Sequence, residues 1–388
     1  MKEKLTGRER VQLALGHQEA DRVPRAESFW PETIPLWHQQ GLGPNDDVAD
    51  LFGYDIMGAG WVSHEARPGF LQTIAETEEW WTRLDGNGAV LRYWKHKSGT
   101  PEHVDFTIKT RDQWEQHKQQ MLTQPPGSRV DTFSALRRMY EAQAKGRWFC
   151  WTGVECYETA KDVFGHVGLS YIMADDPEWA KDIFDTEAEI ACRVLDYLEG
   201  SGVRFDGGWI YGDIAFNHAP FFSPKMYRAL IKPAHVRQIA WFKDRGLPVI
   251  YHTDGDFRLI IPDLIDAGVD CFQPLWRPRQ LDGQHRCDGA DHKRQSAHQG
   301  GGGDEAAHRQ SGRGLHLSQR PLDRAGRALG KLPVLDGVDR SLWKLSVTVA
   351  VIDESRMAET ILRFDDPDDG QKQPASALTQ QPLRNNAL

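Results

Sequence analysis

Between about residue 146 and residue 275, short apolar runs alternate with longer amphipathic stretches. RWFCWTGVE (147–155) reads as a buried strand ending in polar residues, and a helical stretch follows through Leu198. GGWIYGDIAF (207–216) is the next strand and runs into Gly212-Asp213. SPKMYRALIKPAHVRQIAWFKDRG (223–246) predicts a helix, with Ser223 as N-cap, Pro224 at the first helical position and Gly246 at the C-terminal stop. Pro233 kinks or divides it, because proline removes an amide donor and clashes with the preceding turn. LPVIYHTDGD (247–256), FRLIIPDLIDAG (257–268) and GVDCFQPL (268–275) add strand, short helix and strand. Strand–helix alternation implies crossover connections and a parallel sheet. Glu155, Asp213, His252, Asp254 and Gln273 fall at the C-terminal strand ends, where parallel α/β folds place their chemistry.

The N-terminal part follows another pattern. Thr6 and Glu9 form a capping-box spacing ahead of Val11, Leu13, Ala14 and Leu15, and Pro24 marks a turn into extended chain. Alternating runs around Asn87-Gly88 predict hairpins, so residues 70–110 read as an antiparallel meander inserted before the regular repeats. Trp30, Trp37, Trp61, Trp80, Trp81 and Trp94 crowd this part of the chain. They either pack the meander or line a pocket for a planar or methoxylated ligand. After Leu275 the pattern fails: the following stretch is rich in Arg, Gln, His, Gly and Asp and nearly devoid of aliphatic residues, where the sheet still needs strands. Gly300 to Gly303 has no preceding strand and no Gly-Lys-Ser/Thr, so it is no phosphate loop.

A formal net charge of −9 disfavours a nucleic-acid binder, which needs a basic face to displace counterions from phosphates. No apolar run is long enough to span a bilayer and the charged start has no apolar signal region, so the expectation is a cytoplasmic protein with neither membrane nor nucleic-acid partner. The five cysteines, Cys150, Cys156, Cys192, Cys271 and Cys287, are scattered without CxxC spacing, as free thiols in a reducing compartment would be.

TGRERVQLALGHQEADRVPR, FFSPKMYRALIKPAHVRQIAWFKDRGLPVIYHTDGD and LIIPDLIDAGVDCFQPL resemble segments of the uroporphyrinogen decarboxylase superfamily, which includes corrinoid- and coenzyme-M-type methyltransferases. The middle block is the most specific, joining a capped helix, a Lys-Pro break and a strand ending in His-x-x-Gly. The resemblance covers the chain through Gln273. It implies a (β/α)8 TIM barrel carrying the N-terminal helical and antiparallel meander insertion, incomplete after about residue 276. Residues 1–276 would be the barrel. Residues 277–388 would be a disordered tail outside the family pattern. Family sequences continue with a segment like YIYHSDHSI and then a PWENYR-type helix start. Codons that encode Leu315 to Pro321, read one base later, yield that sense, and the shift extends to YIYHSDHSIAPDVPWENYRFLME. A frame change near Trp276 is therefore the expectation for the tail, and an inactive product is one reading of the whole chain.

The leading functional reading is a methyltransferase-like enzyme acting on a small molecule, with a corrinoid protein as partner. In that branch the strand end matching 252–254 carries His-x-Cys, which binds zinc and activates a thiol. Here it reads His252-Thr253-Asp254, so the metal candidates are His252 and Asp254, a harder set suited to zinc or another divalent ion. A plain His–Asp hydrogen-bonded pair is the alternative. Asp213 and Glu158 are catalytic candidates; Glu155 competes with Glu158, and either can serve merely as a helix-start acid. The second activity in the resemblance is uroporphyrinogen decarboxylation in porphyrin biosynthesis. It requires no cofactor but needs arginines that hold several carboxylates. Arg22 and Arg25 are the candidates for that, with Gln273 also set against substrate. The family's fork of arginines is missing after the first strand, and Glu27 would repel carboxylates. A strand-cap or surface role is the competing account of both arginines.

Overall fold

The computed structural model describes residues 5–29, 33–96, 99–274 and 350–351. Trp30, Cys287, the glycine run, and the 277–388 segment apart from Ala350–Val351 lie outside the described residues.

The chain opens with α1 (Gly7–Leu15), where the Thr6 side chain accepts from the Glu9 amide and Glu9 reaches back to Thr6. Two short helices follow, α2 (Thr33–Gln39) and α3 (Val48–Leu51), leading into β1 (Ile56–Gly58). The meander is a four-stranded antiparallel sheet of β2 (Leu71–Glu76), β3 (Trp80–Asp85), β4 (Ala89–Trp94) and β5 (Glu102–Phe106). Gly88 turns β3 into β4 at φ +82°, which a residue with a Cβ adopts only under strain.

Helices α4 (Arg111–Thr123) and α5 (Thr132–Lys145) precede β6 (Trp148–Val154). The long helical stretch resolves into α6 (Cys156–Asp175), itself broken by non-helical backbone at Gly165 (φ +69°), and α7 (Pro177–Gly200), which Asp176 caps and Pro177 begins. Then come β7 (Gly207–Tyr211) and a small hairpin of β8 (Ala215–Phe216) and β9 (Ala219–Pro220). The next helix is indeed interrupted before Pro233. After α8 (Pro224–Met226) the turn widens to a π-helical segment, Tyr227–Ile231, ahead of α9 (Lys232–Lys243), which accommodates the missing amide. The strand β10 (Val249–His252), helix α10 (Ile261–Asp266) and strand β11 (Cys271–Gln273) complete the series, and β12 (Ala350–Val351) pairs antiparallel with β11.

Strands β1, β6, β7, β10 and β11 form one parallel row in that order. Their residues are buried on both faces, as a helix-covered parallel sheet requires. One face meets in a cluster of Ile56, Trp148, Cys150, Trp209, Ile250 and Cys271, with Val11 of α1 packed on it. Trp151, on the other face, packs against Phe242 of α9. The architecture is α/β with a parallel sheet, as part of a TIM-type barrel would be. The closed eight-stranded barrel is not among the described residues, whose parallel row ends at β11.

Candidate functional site

The C-terminal ends of β6, β7 and β10 converge because the three strands pair in register, Val154 beside Tyr211 and Tyr211 beside His252. His252 closes β10, and its Nδ1–H donates to Gln273 Oε1 at 2.5 Å on the neighbouring strand. That bond leaves Nε2 as the lone-pair nitrogen, and Nε2 lies 3.8 Å from Asp213 Oδ1. The Asp254 amide donates to the same Asp213 oxygen at 2.9 Å. Gly255 follows at φ +89°, where a Cβ would lie 2.7 Å from the Ala215 backbone, so only glycine lets the loop approach β8. Ligand atoms of Asp213, His252 and Asp254 lie within 4.8 Å of one another. Burial raises the Asp254 carboxyl above its usual range and the Asp213 charge adds to this, while His252 opposes it.

Glu158 and Glu155 separate cleanly in space. Glu155 is fully buried and caps α6, accepting from the amides of Tyr157 at 2.7 Å and Glu158 at 2.6 Å. It also pairs with His235 Nε2 at 2.6 Å, and His235 Nδ1 lies 2.9 Å from the Tyr227 hydroxyl. Cys156 completes a buried Glu155–Cys156–His235 group whose donor atoms lie as close together as those of the first. Both Glu155 oxygens are already occupied, so this group is a hydrogen-bonded network rather than an open ligand set. Gly212 sits directly above it, since a Cβ there would fall 2.1 Å from Glu155 Cγ. Glu158 instead faces the cleft. Its Oε2 accepts from the Asp213 amide at 3.2 Å, and its other oxygen pairs with Lys161. Burial raises its carboxyl, with Lys161 pulling the other way.

The strand rim opens into a cleft of about 2940 Å³ between the parallel sheet and the meander. One wall is formed by Glu158 and Asp162, one turn apart on α6 before its break at Gly165, and by His166 and Ser170 after the break. Asp162 is pushed up to about 7 by burial first and then by the charges of Glu158, Asp85 and Glu187. Trp61, Trp80, Trp94, Phe216 and Phe221 supply aromatic surface. Glu65, Asp85, Glu102, Asp131, Glu158, Asp162, Asp213 and Asp254 line the cleft against the cations Arg129 and Lys161. Arg129 is committed to the carbonyls of Ser63, Glu65 and Met121, and Lys161 to Glu158.

Three expected substrate contacts take other places. Arg22 bonds Asp55 through both terminal nitrogens, at 2.5 and 3.0 Å, and reaches the Gly53 carbonyl. The Arg25 amide donates to Asp55 at 2.7 Å, and its guanidinium reaches the Phe52 carbonyl. Neither lines the cleft, because Asp55, buried beside Arg10, draws the whole segment down to it. Gln273 is buried and orients His252 instead of facing the cleft. Among the tryptophans, Trp37 packs on Phe29 and Phe52, while Trp61, Trp80 and Trp94 reach the cleft.

Sequence reasoning also passed over His64, which follows β1 on the same rim. Its Nδ1 lies 2.9 Å from Glu187 Oε2 of α7, a pairing across 123 positions that no local spacing signals. Asp162 and His166 were passed over as well, although Asp162 stands one helical turn after Glu158.

No protein-family profile matches the chain. Among curated proteins it is 30% identical over 131 residues to a methylated-thiol–coenzyme M methyltransferase of Methanosarcina mazei, a match covering 31% of this chain and 33% of that protein. The chain thus spans about a third of the length of the curated relative it matches. Among solved structures, a methyltransferase from Methanosarcina mazei aligns with TM-score 0.43 and 13% identity, over 69% of this chain and 75% of the other. No helix among the described residues is long and apolar enough to cross a membrane. Over part of its length, then, the chain is similar to a methyltransferase.

Proposed function

We propose that the chain is a methyltransferase-like enzyme whose reaction centre is the strand rim around His252, Asp254 and Asp213. It would transfer a methyl group between a small methylated substrate and a thiol, with a corrinoid protein as partner. The observation that carries this is the donor set itself. A histidine is held by Gln273 so that Nε2 is free to ligate, and two carboxylates stand within 4.8 Å. The Asp254 carboxylate makes no hydrogen bond or ion pair among the described residues, and its raised affinity for protons marks a site that gains from a positive charge. One nitrogen and two carboxylates fit zinc or another divalent ion, whose chemistry would be to lower the pKa of a thiol that it holds. His252 and Asp254 would be its ligands, with Asp213 joining them or fixing the Asp254 backbone. Glu158 would position Asp213 through its amide and stand ready to exchange a proton, since burial has moved it toward neutrality.

Porphyrinogen decarboxylation finds little support in the cleft. It needs cations facing substrate carboxylates, and Arg22 and Arg25 are held by Asp55 and backbone carbonyls while Arg129 and Lys161 are committed elsewhere.

Equilibrium dialysis of the full chain against zinc tests the metal site directly. One ion per chain is expected, lost in His252→Ala and in Asp254→Ala, together with methyl transfer from a methylcorrinoid to a thiol that fails in both variants. Equal zinc uptake by wild type and variants would refute the assignment.

A further inference from the structure

The cleft carries a second feature that metal binding at the rim does not use. Two of its lining residues, both more than nine-tenths buried, hold polar atoms without a partner among the described residues: His64 Nε2 and Asn87 Oδ1. In the neutral ring, with Nδ1–H donating to Glu187, His64 Nε2 is an acceptor, as is the amide oxygen. A buried acceptor left unmade costs free energy that a ligand donor would recover. Asp162 lines the same cleft and makes no hydrogen bond or ion pair among the described residues. Its charge interacts both with Glu187, the partner of His64, and with Asp85, which accepts from the Asn87 amide.

We propose that this part of the cleft binds a small organic cation, with the ammonium head of a protonated amine against Asp162 and its N–H groups donating to His64 Nε2 and Asn87 Oδ1. The unmet atoms of His64 and Asn87 and the Asp162 carboxylate are all acceptors, so they match N–H⁺ donors and not an anion. The surrounding charge has the same sign: carboxylates outnumber cations on the cleft wall, and both cations are engaged. Such a low-dielectric, acid-lined cleft concentrates cations. The crowding that lifts the Asp162 carboxyl is relieved when a positive charge arrives. Trp61, exposed on the cleft wall, adds aromatic surface that attracts the same ligand. As a statement about the substrate this rests on the cleft being the reaction chamber proposed above; as a binding site it stands alone.

The test uses the full chain near pH 8 at low ionic strength, with tryptophan fluorescence or calorimetry reading the binding of butylammonium, 1-pentanol and pentanoate. These probes are of similar length and carry positive, zero and negative charge. Saturable butylammonium binding is expected, with the other two weaker by at least about tenfold. Asp162→Asn removes a crowded charge and should fold; it should weaken butylammonium by about tenfold and leave 1-pentanol unchanged. His64→Gln should weaken the cation in the same selective way. Pentanoate binding as tightly as butylammonium, or an Asp162→Asn variant with undiminished cation affinity, would overturn the proposal. Cation binding without any methyl transfer would sink the methyltransferase reading alone, and methyl transfer without cation binding would sink this one alone.

Discussion

Replacing Glu155 by Gln preserves volume and removes only charge and one acceptor, so its cost can be worked from the contacts. Glu155 accepts three hydrogen bonds, from the Tyr157 amide, the Glu158 amide and His235 Nε2. One oxygen serves Glu158 and the other serves both Tyr157 and His235. A glutamine keeps a single acceptor, so its NH2 group must confront at least one N–H donor in a fully buried place. Losing a charge-assisted bond costs about 1.5–3 kcal/mol, and the stranded donor adds about 1–3 kcal/mol. His235 can change tautomer and accept from the new amide, which places the total near the low end, about 3 kcal/mol. For a domain of this size that is a fall in Tm of roughly 6–12 °C. Urea denaturation followed by tryptophan fluorescence reads the loss. The cycle with His235→Asn should show a coupling of at least about 1 kcal/mol, because the two residues share one network. A loss below about 1 kcal/mol, or an additive cycle, would refute the view that Glu155 is the buried anchor beneath Gly212 and the rim.

Asp55→Asn should cost roughly 3 kcal/mol by urea midpoint, since buried Arg10 and Arg22 both lose a carboxylate partner; Arg10 keeps Asp21 at 2.6 Å, which limits the damage. His117 gives a pH dependence of definite sign. Burial, reinforced by Arg67 and Arg129, lowers it to about 4, below its unfolded value near 6.5. The stability tied to neutral His117 is therefore complete above about pH 6.5 and falls between there and pH 4, where the unfolded chain takes a proton that the native state refuses. Asp162, raised to about 7, acts oppositely: its contribution is complete below its unfolded pKa near 4 and is lost as pH rises through about 7. Comparing wild type with His117→Gln at pH 7.5 and pH 5 isolates the histidine, and a variant that loses as much stability as wild type between the two pH values contradicts the assignment.

Much of the local structure is written in short-range signals. Thr6 and Glu9 cap α1, Ser223 and Pro224 start the divided helix, Gly88 turns the meander, and short apolar runs mark the parallel strands from β6 onward, though not β1. Each depends on neighbours within a few positions, so the chain carries them whatever the rest does. The rim residues His252, Asp254 and Asp213 were legible for a related reason: parallel strands in register bring their C-terminal ends together, and polar residues at those ends stand out. Roles of individual charged groups were another matter. Glu155 and Glu158 are three positions apart with the same chemistry, yet one is sealed under Gly212 against His235, 80 positions away, and the other faces the cleft. For Arg22 and Arg25 the sequence left a substrate role and a strand-cap or surface role side by side; Asp55, about 30 positions on, holds both residues, and the His64–Glu187 pair spans 123 positions. Coulomb attraction and desolvation depend on distance in space and on what excludes water, and neither is a property of sequence spacing.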